Sequence, residues 1–301
     1  MASELGSIAL FGAGGAVGHA LGEELSRRGV PYREVGRSKA VHADFFTGEG
    51  VREAAQGIDT IFYLAGAPYT EFFKHPIMVR NALDAARAAS VKRFVHVAPV
   101  YSYGSPRTHP VPETQPHAPQ TRKGRFRLEQ EQAVLEQHGD AMRTMVVHLP
   151  DFYGPHADLS YANAFMRDAL SGKTATWIGP LDAQREFIFT GDIAQPLLAL
   201  AAVDSAYGRC WNLGGVSIRA RDFIDTVFTV LGTKPKYRAM PKAMLQAVGL
   251  FVPMLREVAE MYYLFSDGFV LDEGALQACI GPLAKTPIRD GVQRTIAWMR
   301  G

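Results

Sequence analysis

An apolar run, Ser7-Ile-Ala-Leu-Phe11, passes directly into Gly12-Ala-Gly-Gly15-Ala-Val-Gly18, and a helix-like stretch follows. Three glycines spaced by three at a strand-to-helix turn leave few options for the fold. The first permits a sharp turn, the second lets backbone approach a bulky anion, and the third seats the helix against the strand. The helix N-terminus then offers unpaired N–H groups and a partial positive charge to that anion. A dinucleotide pyrophosphate is the ligand such a loop suits. Gly12, Ala13, Gly15, Ala16, Val17 and Gly18 are the expected cradle.

The surrounding pattern agrees. Apolar strand-like runs at 7–11, 32–35, 60–65, 93–97 and 144–149 alternate with helix-like stretches at 17–28, 51–56, 77–89 and 124–137. This alternation is that of βαβ units on a parallel sheet. The expected architecture is therefore α/β: a Rossmann-type doubly wound parallel sheet with a smaller C-terminal substrate-binding region. The expected division is residues 1–150 for the dinucleotide domain and 151–301 for a mixed substrate region, with Phe187–Phe189 and Cys210–Leu213 able to return to the sheet. A proline-rich segment from Tyr101 to about Arg122 is long enough to cover or line a site.

Composition removes several alternatives. The 301 residues carry 32 Lys and Arg against 30 Asp and Glu, a net charge of +2, so no general field favours nucleic acid. The two cysteines, Cys210 and Cys279, lie far apart, as expected of reduced thiols. No linear spacing among His109, His117 and His156 resembles a metal site, so none is expected; His96 and His148 read as core histidines inside strands. The run Met244–Leu255 is too short to span a bilayer. Together with the lack of a secretory pattern near residue 1, it leads to a cytoplasmic expectation with no membrane partner. The wider run Met240–Leu264 reads as core, as a wall for a hydrophobic substrate, or as the face of a homodimer.

Cofactor choice is read at the end of the second strand. Val35-Gly36-Arg37-Ser38-Lys39 has no carboxylate for a ribose hydroxyl, whereas a guanidinium and a hydroxyl suit a 2′-phosphate. NADP(H) is therefore expected over NAD(H), with Arg37 and Ser38 as contacts. Asp44 and Phe45 are placed at the adenine. Leu64, Ala65, Gly66 and Ala98 line the cofactor's path at strand ends, as do Leu149 and Pro150.

Further motifs occur in order: Asn81-Ala-Leu-Asp-Ala-Ala, Ser90-Val-Lys-Arg-Phe-Val-His-Val, Tyr103-Gly104, Pro150-Asp-Phe-Tyr-Gly-Pro155, Arg185-Glu-Phe-Ile-Phe with Asp192, and Trp211-Asn-Leu-Gly-Gly215. With the glycine loop they resemble the extended short-chain dehydrogenase/reductase superfamily of NAD-dependent sugar-nucleotide epimerases and dehydratases over nearly the whole chain. The catalytic set implied by that resemblance is replaced. Its Ser/Thr falls on Pro99, its Tyr-x-x-x-Lys on Lys123-Gly-Arg-Phe-Arg127, and its supporting Asn on Ile77. Lys-x-x-x-Arg is locally similar to the isoflavone-type and phenylcoumaran benzylic ether reductases and to the NmrA-like proteins, a branch that implies NADPH.

Lys123 is accordingly the expected principal polar group, both catalytic and cofactor-binding. Burial and the neighbouring cations Arg125 and Arg127 would lower its pKa. Positioning of a ribose or phosphate is its alternative role. Tyr101 and Tyr103, after the strand at 93–97, are further proton-donor candidates. Asp151, Tyr153 and Arg185 are expected to border the substrate, with Arg185 at a position that grips a diphosphate in nucleotide-sugar enzymes. Three functions are compatible with these features. The leading one is an NADP(H)-dependent reductase of a small aromatic or carbonyl-bearing substrate. The others are a non-catalytic NADP(H) sensor of NmrA-like type and a nucleotide-sugar epimerase or dehydratase with rearranged catalytic groups.

Overall fold

In the computed structural model, residues 4–301 are described. Eleven strands are numbered along the chain: β1 (Ile8–Phe11), β2 (Tyr32–Val35), β3 (Thr60–Tyr63), β4 (Arg93–Pro99), β5 (Arg143–Leu149), β6 (Asp151–Tyr153), β7 (Ala175–Ile178), β8 (Gln184–Phe189), β9 (Cys210–Asn212), β10 (Val216–Arg219) and β11 (Tyr237–Met240). Six of them form one parallel sheet in the order β2-β1-β3-β4-β5-β9. From β1 the chain goes first to β2 on one side and then to β3 on the other. The switch point therefore lies at the carboxyl end of β1, where doubly wound sheets bind ligands.

The strands at the centre are apolar on both faces because helices cover both. β1 and β3 are buried along their whole lengths. On one face pack the helices Val51–Ala55, Lys74–Ala88 and Arg122–Leu135, through residues such as Val79 and Val134. On the other face lie Ala16–Arg27, Ala194–Ala201 and Gly274–Ile280, through Leu21, Leu197 and Leu276. Of the two segments expected to return to the sheet, Cys210–Asn212 does, as β9. Phe187–Phe189 does not: β8 pairs with β6 and β10 in a separate three-stranded sheet. Its aromatic side chains complete a third core with Phe165, Trp177 and Phe223.

The strand expected to reach Ala65 ends at Tyr63. Beyond it, the backbone of Leu64 and Ala65 runs directly beneath Gly12, whose φ is +97°. A Cβ on Gly12 would lie 2.6 Å from the Ala65 nitrogen. The wider run Met240–Leu264 forms a hairpin of two short helices, Lys242–Gly249 and Pro253–Glu260. Leu245, Val258, Tyr262 and Phe265 pack inward, while Leu250 and Phe251 at its tip are exposed. No helix among the described residues is long and apolar enough to cross a membrane.

The Gly12 contact sets a test. Gly12→Ala places a side chain at positive φ against fixed backbone and should destabilise the protein by about 2 kcal/mol or more in denaturant unfolding. Gly29→Ala, also at positive φ but with open space around it, isolates the conformational part. Equal losses in the two variants would contradict the close approach.

Candidate active site

The site is built outward from the end of β1. The helix Ala16–Arg27 begins at Gly15 with no side-chain cap and no acidic residue in its first turn, so its N-terminus faces an anion unopposed. Gly14 and Gly15 are exposed, and a Cβ on Gly15 would meet nothing nearer than 3.9 Å. Gly18 is different: a Cβ there would strike the Ala13 carbonyl at 2.6 Å, so this glycine serves helix packing. The cradle thus has an open front and a tight back, the shape a pyrophosphate requires. Ala65, Gly66, Ala98, Leu149 and Pro150 sit at the carboxyl ends of β3, β4 and β5, along the same edge.

At the end of β2, Arg37 and Ser38 are exposed, and the Arg37 guanidinium has no hydrogen bond or ion pair among the described residues. Lys39 is bound to Glu34 at 3.0 Å, which partly neutralises the positive end of the strand. Of the expected adenine contacts, the Phe45 ring requires correction. It is buried against Phe11 (5.2 Å) and Tyr63 (5.8 Å) and fills core beneath the sheet edge. Asp44 is half-buried, and its Oδ1 closes a turn by accepting from the N–H groups of Phe46 and Thr47.

Lys123 and Arg127 lie one turn apart on the buried face of the helix Arg122–Leu135, whose cap is the Thr121 hydroxyl accepting from the Gly124 N–H. Lys123 is fully buried. Its Nζ contacts Glu257 and donates to Glu260 at 2.7 Å, and its backbone N–H donates to Glu260 at 3.1 Å. The Tyr69 ring lies 5.1 Å from the same ammonium. Two carboxylates of the hairpin helix Pro253–Glu260 therefore face Lys123, which overturns the expected like-charge setting. Arg125 points to solvent and bonds the Gln120 carbonyl. Arg127 is enclosed over the Phe72 ring at 5.0 Å and donates to Gln130 at 2.8 Å; burial pushes its guanidinium down to about 10.

The two tyrosines part company. Tyr101 lies in an aromatic wall with Phe72, accepts a hydrogen bond from Tyr69 at 3.3 Å, and is pushed up to about 12 by burial. Tyr103 is in the core. Its hydroxyl donates to Asn212 at 2.9 Å and its ring packs on His117 and His148, so its expected role facing a ligand is withdrawn. Tyr153 is likewise core, ringed by Phe187, Phe189 and Phe223, and does not border the cavity.

The cavity itself is lined by Val100, Pro150, Asp151, Arg185, Glu186, Leu264 and Phe269 and encloses about 20 Å³, room for a single water. Arg185 donates to Asp151 at 2.5 Å and lies over the rings of Trp177, Phe187 and Phe265. Beside it Glu186 accepts from the N–H groups of Gly215 (3.0 Å) and Leu271 (2.9 Å). Burial outweighs those bonds and pushes the Glu186 carboxyl up to about 7.

The profile of the NAD dependent epimerase/dehydratase family matches residues 8–214, about two thirds of the sequence. The chain belongs to that family. Its fold is shared over 98% of its length with MoeE5 in complex with UDP-glucose and NAD, at 20% identity, 99% coverage of that chain and a TM-score of 0.83. The dTDP-glucose 4,6-dehydratase DesIV of Streptomyces venezuelae, crystallised with NAD, matches at 18% identity, with 98% and 97% of the two chains covered and a TM-score of 0.81. UDP-N-acetylglucosamine 4-epimerase of Bacillus cereus matches at 18% identity, with 98% and 96% covered and a TM-score of 0.78.

Sequence reasoning names Lys123, Tyr101, Asp151 and Arg185 as candidates but does not reach what they touch. Glu257 and Glu260 carry no motif, and only their (i, i+3) placement on an amphipathic helix could have hinted that both face one partner. Glu186 is visible in the sequence only as a neighbour of Arg185; in the structure Arg185 pairs with Asp151 instead. The raised pKa of Glu186 makes a linkage prediction: stability from this group is present below about pH 4.5 and is lost as pH rises through about 7. The wild type should therefore lose roughly 2–3 kcal/mol between pH 5 and 8 relative to Glu186→Gln, read by denaturant unfolding. Parallel pH profiles would refute the shift.

Proposed function

We propose that the chain is a nicotinamide-dinucleotide-dependent enzyme acting on a nucleotide-sugar-type substrate, with Lys123 standing where the family uses tyrosine. The observation that carries this reading is the pair of buried Arg185 with half-buried Asp151 beside Glu186, a cavity-lining cation at which a diphosphate could exchange for the Asp151 carboxylate. The NAD and sugar-nucleotide complexes of the structural neighbours support it. An aromatic or ketone substrate has less support, because the structural neighbours carry or act on nucleotide sugars.

The residues fit a dinucleotide. Gly12–Gly18 would hold the pyrophosphate, and Ala65, Gly66 and Ala98 would let the cofactor lie along the sheet edge. The cofactor, when bound, supplies reversible hydride acceptance. Lys123 would hold a proton at the sugar oxygen that gains or loses one, with Glu257 and Glu260 as the exchange partners that balance its charge. Arg127 would fix the helix register beneath it through Gln130. Glu186, protonated to a substantial fraction near neutral pH, would bring a further hydrogen-bond donor to the cavity beside Arg185. Arg37, unpaired and exposed, would accept a 2′-phosphate and favour NADP(H).

A sensor without turnover is the second reading, and the sealing of Lys123 by two carboxylates favours it. One experiment separates the two. Wild type is incubated with NAD⁺ or NADP⁺ and UDP- or dTDP-glucose, and products are followed by nicotinamide absorbance and NMR. Turnover is expected, and Lys123→Ala should lower it by about 10²-fold or more with dinucleotide binding retained. Dinucleotide binding with no change in any sugar nucleotide would leave the sensor. Arg37→Ala should weaken NADPH about tenfold and NADH little, read by fluorescence titration, since one charge-assisted contact is lost. An unchanged ratio would remove Arg37 from cofactor selection.

A further inference from the structure

Behind the candidate site, between the sheet and the helix Arg122–Leu135, four donors converge from four separate segments. His117 comes from the proline-rich loop, Glu131 from the helix, His148 from β5, and Cys210 from the first residue of β9. One donor atom of each lies within 4.8 Å of all the others. His117 Nδ1 is 2.9 Å from Glu131 Oε2, and His148 Nε2 is 3.0 Å from Glu131 Oε1. These are hydrogen-bond separations, a few tenths of an ångström shorter than the roughly 3.3–3.8 Å between ligand atoms around a tetrahedral ion with bonds of about 2.0–2.3 Å, so a small outward shift of the side chains would admit one ion.

We infer that His117, Glu131, His148 and Cys210 form a zinc site, distinct from the dinucleotide and substrate positions. Two neutral imidazoles, one carboxylate and one thiolate balance a divalent cation, so the bound cluster carries no net charge into a dry interior. Mixed nitrogen, oxygen and sulfur donors select zinc over the hard cations magnesium and calcium, which prefer oxygen alone. Glu131 and His148 are buried, whereas His117 and Cys210 are half-buried and leave a path for entry. The Cys210 thiol has no hydrogen bond among the described residues and is free of any disulfide. Four protein donors leave no open position, so the role is structural. The ion would clamp the edge strand β9 and the proline-rich loop to β5. It would do so beneath Tyr103, whose ring lies 4.3 Å from His117 and 4.8 Å from His148.

The test uses the full chain stripped with chelator and dialysed against zinc alone, then cobalt alone. One zinc per chain is expected by elemental analysis, with a rise in Tm that chelator reverses. Cobalt should give the intense visible bands of a tetrahedral centre and a thiolate charge-transfer band. Cys210→Ser should abolish the charge-transfer band and weaken zinc at least tenfold, and Glu131→Gln should weaken it similarly. Cys279→Ser should leave both unchanged. Circular dichroism establishes that each variant is folded. A folded wild type that retains no zinc after dialysis overturns the inference. So does zinc binding that is equal in wild type, Cys210→Ser and Glu131→Gln.

Discussion

A lysine ammonium with no solvent exposure cannot exist without partners, and the architecture around the candidate site follows from that constraint. Removing a lone cation from water costs several kcal/mol, and removing one member of a buried pair costs about 3–5 kcal/mol. Lys123 meets the requirement with Glu257 and Glu260, which lie more than 130 residues away in the sequence. The consequence is spatial. The hairpin helix Pro253–Glu260 is tied to the helix Arg122–Leu135 by these pairs, and Leu264, a few residues beyond it, lines a cavity the size of one water.

The dinucleotide side of the molecule obeys a different rule, that of backbone proximity. Gly12 against Ala65 and Gly18 against Ala13 are contacts in which no side chain fits, and they place the helix N-terminus over the sheet edge. This half is held by backbone contact, whereas the Lys123 half is held by ion pairs.

How legible each part was follows from the range of the forces involved. The parallel sheet could be read because β1 and β3 are continuous apolar runs, strand-like and helix-like stretches alternate, and the glycine loop is a local backbone requirement. The return of Cys210–Asn212 to the sheet was visible as an option, and so was that of Phe187–Phe189, which instead joined an aromatic core because Phe165, Trp177 and Phe223 were there to receive it. At the site, Lys123 was found from its place in a motif, but its environment was misjudged. Nearby cations in sequence suggested like charge, while the decisive carboxylates came from a distant helix. Phe45 and Tyr103 failed for a related reason: an aromatic side chain beside a loop looks available until the packing that buries it is known. The convergence of His117, Glu131, His148 and Cys210 left no linear trace at all, since each donor belongs to a different element.

The Lys123–Glu257–Glu260 cluster holds the hairpin against the helix Arg122–Leu135, and amide hydrogen exchange tests this without any ligand. Exchange across residues 253–266 is compared between wild type and the Glu257→Gln/Glu260→Gln double variant, with the helix Ala16–Arg27 as internal reference. At least tenfold faster exchange is expected in the hairpin of the variant, a loss of about 1.4 kcal/mol or more in local stability, with an unchanged reference helix. Hairpin exchange that is the same in both proteins would contradict it.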